Sequence, residues 1–128
     1  MFGNLFNNKN NLSLLIFSIF LLIIDQVTKA LIVSRFDLYE SIPVVPFFNL
    51  TFVVNYGFAF GFLNSPSLNQ IIVSVVILSI IIYFLYLLIK TQDRVFKICL
   101  VLILSGALGN FLDRIFRGYV VDFIDIYV

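Results

Sequence analysis

The stretch IIVSVVILSIIIYFLYLLI, Ile71–Ile89, decides the fold. Its nineteen residues include two serines, two tyrosines and no charge. An α-helix needs about 20 apolar residues to cross a bilayer, so this run predicts a transmembrane helix. It closes a longer stretch, Ser41 to Ile89, that holds no charged residue at forty-nine consecutive positions. A soluble domain of this size does not go so long without charge. The whole chain agrees: 62% of its 128 residues are hydrophobic, 12% are charged, and the mean hydropathy is +1.11. Soluble domains are roughly half apolar.

Working outward, Leu12 to Val33 reads as a first spanning helix, interrupted near its far end by Asp25, Gln26 and Lys29. Lys9 precedes it, but no small-x-small cleavage site follows, so it is expected to be a retained helix rather than a removed signal peptide. The Asn-rich start, Asn4 to Asn11, is expected to be disordered. Lys90 to Lys97 reads as a polar connection, and Ile98 to Phe116 as a third helix. Between helices one and two, Pro43, Pro46 and Pro66 oppose helix, and the β-branched and aromatic run Val44 to Val54 favours extended backbone. Unpaired strand cannot face lipid, so a small β segment at the membrane surface is expected there. The fold class is therefore a membrane all-α helical bundle with a small extracytoplasmic β segment. Lys9, Lys90, Arg94 and Lys97 place the amino terminus on the cytoplasmic side by the positive-inside rule.

Composition also excludes chemistries. A net charge of +1 with scattered cations gives no footprint for nucleic acid. Histidine is missing and Cys99 is the single cysteine, so the commonest metal ligand and general base is absent and no internal disulfide can form. Catalysis would fall to carboxylates, amides, hydroxyls or lysine.

Three constellations hold such groups. Asp25 and Lys29 stand at i and i+4, the spacing of an ion pair on one helix face; they read either as interfacial anchors, with Lys29 snorkelling to the headgroups, or as intramembrane functional groups. Asn55-Tyr56-Gly57-Phe58-Ala59-Phe60-Gly61 alternates small and aromatic residues before the second helix, and reads equally as an Asn-capped turn or a substrate-contacting loop. Near the end of the third helix, Gly106, Asn110 and Arg114 follow one another at i+4, with Gly106 expected to let a neighbouring helix approach. Arg114 and Asn110 carry donors and an acceptor suited to a peptide backbone, although Arg114, with Asp113 or Arg117, also fits ordinary interfacial anchoring and local ion pairing. Beyond Gly118, Asp122 lies among Val120, Val121, Phe123 and Ile124. Those neighbours are expected to desolvate its carboxyl and favour the proton-sharing form. Asp125 is expected to be a solvated or capping carboxylate.

Taken in order, Asp25-Gln26-x-x-Lys29, Asn55-x-Gly57-x-Ala59-Phe60-Gly61, Gly106-x-x-Gly109-Asn110-x-x-Asp113-Arg114 and Gly118-x-Val120-Val121-Asp122-Phe123 resemble the blocks of the lipoprotein signal peptidase (signal peptidase II) family. Each block is weak alone, and their joint order over nearly the whole chain is specific. The resemblance implies a membrane aspartic endopeptidase of the bacterial inner membrane, a monomer that removes signal peptides from prolipoproteins bearing a diacylglyceryl-cysteine. It implies no cofactor and no metal. It makes Asp122 one catalytic carboxylate, Asn55, Asn110 and Arg114 substrate-binding, and Asp25, Lys29, Gly57 and Asp113 site-supporting.

The family's chemistry uses a second aspartate, in a Phe-Asn-x-Ala-Asp block opening a fourth helix. Residues 1–128 contain no such block, and Val128 is six residues past Asp122. On that reading the chain is one integral membrane domain, incomplete at its carboxyl end relative to the family. The alternative expectation is an inactive truncated relative that binds prolipoprotein without cleaving it.

Overall fold

Long apolar runs with no interior proline close their backbone hydrogen bonds within a helix, the economical solution where water is absent. The computed structural model describes residues 9–56 and 66–128 and contains three such helices: α1 (Lys9–Arg35), α2 (Pro66–Lys90) and α3 (Arg94–Phe116). At 27, 25 and 23 residues each is longer than the hydrocarbon core of a bilayer demands. All three are apolar enough to cross a membrane. Their outward surfaces carry exposed Ile16, Phe20, Ile23, Ile71, Ile82 and Ile103, side chains that only lipid would solvate well.

The helix boundaries differ from the sequence expectation in ways that have local causes. Pro66, expected to break helix, instead opens α2; a first-turn proline gives up only an N–H that the helix would leave unbonded. The expected connection from Lys90 to Lys97 shrinks to three residues, because Asp93 caps α3 by accepting the Phe96 N–H at 3.0 Å. Asn10 and Asn11, expected to be disordered, belong to the first turn of α1.

Packing is organised around α3, which lies against both α1 and α2. Val101, Ser105, Gly109 and Asp113 recur every four residues on its buried face. The small residue that admits the neighbour is Gly109, whereas Gly106 is exposed with nothing within 4 Å of where a Cβ would stand. The expectation of close approach at Gly106 was therefore displaced by three residues, most of one helical turn.

The expected β segment is present as β1 (Ser41–Val45) and β2 (Phe48–Asn55), an antiparallel hairpin. Pro46 and Phe47 make its turn, with Phe47 at φ 72°. Pro43 is tolerated because β1 is an edge strand. What the sequence reading lacked is β3 (Val120–Ile126), which returns after α3 and pairs antiparallel with β2, giving the order β1-β2-β3. One sheet face packs Phe52 and Val121 against Ile32 near the end of α1, with Phe36, Val54, Tyr119 and Phe123 around them. The sheet thereby ties the excursion between α1 and α2 to the segment after α3, all at one end of the bundle.

A buried charge cluster beneath an open sheet face

Asp113 has no solvent exposure, and an ionised carboxylate in such a place persists only when its oxygens are fully engaged. Its Oδ1 accepts from Arg117 at 2.6 Å and from Gln26 Nε2 at 3.1 Å. Its Oδ2 accepts from Lys29 Nζ and from the Val121 backbone N–H, each at 3.1 Å. Lys29, itself buried, also reaches Asp25 at 3.0 Å and Asn110 Oδ1 at 3.0 Å. Gln26 completes the knot by donating to Asp25 and the Gly109 carbonyl and accepting from Arg117. Two carboxylates thus meet two cations in a neutral cluster that joins α1, α3 and the start of β3.

Lys29 therefore does not snorkel toward headgroups, and the Asp25–Lys29 pair forms as its i, i+4 spacing requires. Gly109 is the reason the two helices can come close enough: a Cβ there would overlap the Asp25 carboxylate. Gly109→Ala should accordingly lower stability by about 1–3 kcal/mol, the usual effect of overpacking. Thermal unfolding in detergent checks this, with Gly106→Ala expected to be silent.

The hydrogen bond from Val121 N–H to Asp113 places the next residue, Asp122. Along β3, Val121 and Phe123 face the core while Asp122, Ile124 and Ile126 are exposed on the other side. Asp122 is therefore not desolvated by its sequence neighbours, contrary to expectation: strand alternation sends Val121 and Phe123 to the opposite face, and Ile124 beside it is itself open. Across the sheet Asp122 pairs with Val53 and Asn55 pairs with Val120, so Asn55, at the end of β2, and Asp122 share one face. Arg114 stands within electrostatic reach of Asp122. Its Nη1 donates to the Asn110 carbonyl at 3.3 Å, and its buried Nε has no partner among the described residues.

A hollow of about 440 Å³ beside Asp122 is lined by Thr51, Val53, Asp122, Ile124 and Asp125. Asp125 is half-buried rather than solvated. It accepts from Thr51 Oγ1 at 3.0 Å and Asn49 Nδ2 at 3.4 Å, and Thr51 is in turn bonded to Ser41 at 2.7 Å. This ladder crosses all three strands beside the register shift between Leu50 and Val53. Asn110 is partly committed, since its side-chain oxygen serves Lys29 and only its amide N–H groups remain for another ligand. Gly57, with the rest of the run to Gly61, lies outside the described residues. Two contributors, Gln26 and Arg117, entered the sequence analysis only as a motif position and as a local anchoring residue, and neither was named as a site residue. The signal for them was positional: Gln26 adjoins Asp25, and Arg117 is i+4 from Asp113. Among the described residues no group of three His, Cys, Asp or Glu side chains is arranged to hold a metal ion.

Comparison with known proteins agrees with this architecture. Residues 17–128 match the family model described as signal peptidase (SPase) II. The lipoprotein signal peptidase of Haemophilus influenzae (strain Rd) is 42% identical over 125 residues, covering 94% of this chain and 72% of that protein. That of Pasteurella multocida is 41% identical over 123 residues, covering 94% and 74%. A bacterial membrane enzyme solved by the in meso method at 1.9 Å resolution superposes with a TM-score of 0.75 at 35% identity, over 89% of this chain and 74% of that one. A second such structure, at 2.3 Å, gives 0.73 at 34% identity over 91% and 71%. With three membrane-crossing helices, the sheet they carry and a family match over most of its length, this chain is a bacterial membrane protein that belongs to the signal peptidase II family of proteases.

Proposed function

We propose that this chain is an aspartic endopeptidase that removes signal peptides from diacylglyceryl-modified prolipoproteins, with Asp122 as a catalytic carboxylate. The observation that carries the reading is the placement of Asp122. It stands on the open face of β3, one residue beyond a backbone N–H held by a fully buried carboxylate. A carboxylate so fixed, yet accessible, suits a group that must meet substrate and exchange a proton.

Peptide hydrolysis of this type divides the work between two carboxylates. One takes a proton from the attacking water, and the other, protonated, gives its proton to the scissile carbonyl or the leaving amine. Asp122 fills one of these parts. Asp113 is enclosed by four donors and Asp125 is held by Thr51 and Asn49, so neither is free to share a proton with Asp122. The resemblance assigns the partner to the Phe-Asn-x-Ala-Asp block, which has no counterpart within residues 1–128. Asn55 on the same sheet face and Arg114 beside it are proposed to bind the substrate backbone. The remaining amide of Asn110 would assist, and Asp25, Lys29 and Asp113 support the site from below. Gly57 is proposed to border it.

The chain is proposed to sit in the inner membrane as a monomer, with its amino terminus cytoplasmic and the sheet outside. Lys9, Lys90, Arg94 and Lys97 all lie at the end of the bundle opposite the sheet, as the positive-inside rule requires of that orientation.

The test is cleavage of a diacylglyceryl-modified prolipoprotein by residues 1–128 joined to a Phe-Asn-x-Ala-Asp block and reconstituted into vesicles, with product mass as readout. Cleavage immediately before the modified cysteine is expected, and binding without cleavage would favour the inactive relative. Arg114→Lys should raise KM about tenfold with a smaller effect on kcat, the size of one charge-assisted hydrogen bond. Steady-state kinetics on the same substrate checks this.

A further inference from the structure

The end of the bundle away from the sheet carries a second hollow. There α1 begins, and Thr91–Asp93 passes the chain from α2 to α3. A cavity of about 150 Å³ opens between the two elements, lined by Asn10, Asn11 and Ser13 of α1, Gln92 of the turn, and Arg94 and Lys97 of α3. Two cations line it and no carboxylate does. Asp93, the nearest acidic residue in sequence, is occupied in capping α3. Lys97 Nζ gives one hydrogen bond, to Asn11 Oδ1 at 3.3 Å. No ion pair or hydrogen bond engages the Arg94 guanidinium among the described residues.

The hollow lies where spanning helices end, at the depth of lipid headgroups. Further along the same helices Leu15, Ile16 and Leu102 are exposed, so acyl chains have apolar surface on both sides of it. A guanidinium and an ammonium converging without a counter-ion, with amide donors beside them, match a phosphate diester. Basic pockets between transmembrane helices take anionic headgroups for the same reason. We propose that this hollow binds the phosphate of an anionic phospholipid, with Arg94 and Lys97 supplying the charge and the amides of Asn11 and Gln92 the neutral contacts. The site is remote from Asp122 and does not depend on the peptidase reading.

Native mass spectrometry of the full chain in neutral detergent, titrated with phosphatidylglycerol or with phosphatidylcholine of the same acyl composition, tests the proposal. Preferential retention of phosphatidylglycerol is expected, falling about tenfold or more in the double variant Arg94→Gln, Lys97→Gln. Lys90→Gln is the control: Lys90 is a cation at the same end, but it lies over the Tyr86 ring and not in the hollow, so retention should be unchanged. Circular dichroism confirms that the variants fold. Equal retention of the two lipids, or an equal loss in Lys90→Gln, would overturn the site, since charge at that end would then act without a pocket. Competition by equimolar inorganic phosphate would overturn the lipid assignment, because a headgroup anchored by its chains should not yield to the free ion.

Discussion

In a chain that also carries the partner carboxylate, Asp122→Asn is expected to reduce prolipoprotein cleavage by about 100-fold or more while leaving the protein folded and inserted. Proton transfer by a positioned side chain contributes roughly 10²–10⁴ to rate, and the amide can neither accept nor release that proton. The shape hardly changes, and Asp122 is exposed and belongs to none of the described ion pairs, so the substitution should leave stability alone. Cleavage assays in vesicles beside a thermal unfolding curve separate the two effects. Full activity in the variant would move the catalytic assignment to another residue. A comparable drop in Asp125→Asn would be read differently: Asp125 holds Thr51 and Asn49 across the sheet, and its loss should also lower the unfolding temperature.

The largest effect on stability is expected at Asp113. Truncation to alanine leaves Arg117 without its carboxylate, Lys29 with Asp25 as its one remaining carboxylate and Asn110 as a neutral acceptor, and the Val121 N–H without its Asp113 acceptor. Breaking a buried pair by removing one partner costs about 3–5 kcal/mol. Because the lost bond to Val121 also releases the start of β3, activity should fall with stability even though Asp113 touches no substrate in the proposed mechanism. Asp113→Asn should be milder in geometry, since an amide oxygen can still accept from Val121, yet it remains destabilising because one negative charge is gone from a neutral cluster of four. Thermal unfolding of both variants in the same detergent checks the order. An Asp113→Ala protein that melts with the wild type would show that the cluster does not hold the helices to the sheet.

The membrane-spanning helices were legible because lipid imposes a one-dimensional rule: enough consecutive apolar residues must form a helix that satisfies its own backbone. Ile71–Ile89 states that rule without any partner. The hairpin was legible for a related reason, since prolines and β-branched residues excluded helix between Ser41 and Asn55. The third strand was not, because Val120–Ile126 is a short apolar stretch whose conformation is fixed by the edge that β2 offers it. The motifs likewise marked Asp25, Lys29, Asn110, Asp113, Arg114 and Asp122 as a set, while their division of labour stayed hidden. Gly106 and Gly109 are three residues apart in one helix, and only the packing of α1 shows which of them faces a neighbour.

Asp122 shows the boundary most clearly. The sequence by itself determined a membrane bundle, its three spans and the presence of an aspartate in an apolar β-branched setting. Tertiary structure decided that this aspartate is open rather than desolvated, and that Asp113 is the buried carboxylate. The reason is physical: hydrophobic periodicity is a local property that a chain carries wherever it goes, whereas the burial of a charge depends on which donors other segments bring to it. Lys29 from α1, Arg117 at the end of α3 and the Val121 N–H of β3 meet at Asp113 only after the chain has closed upon itself.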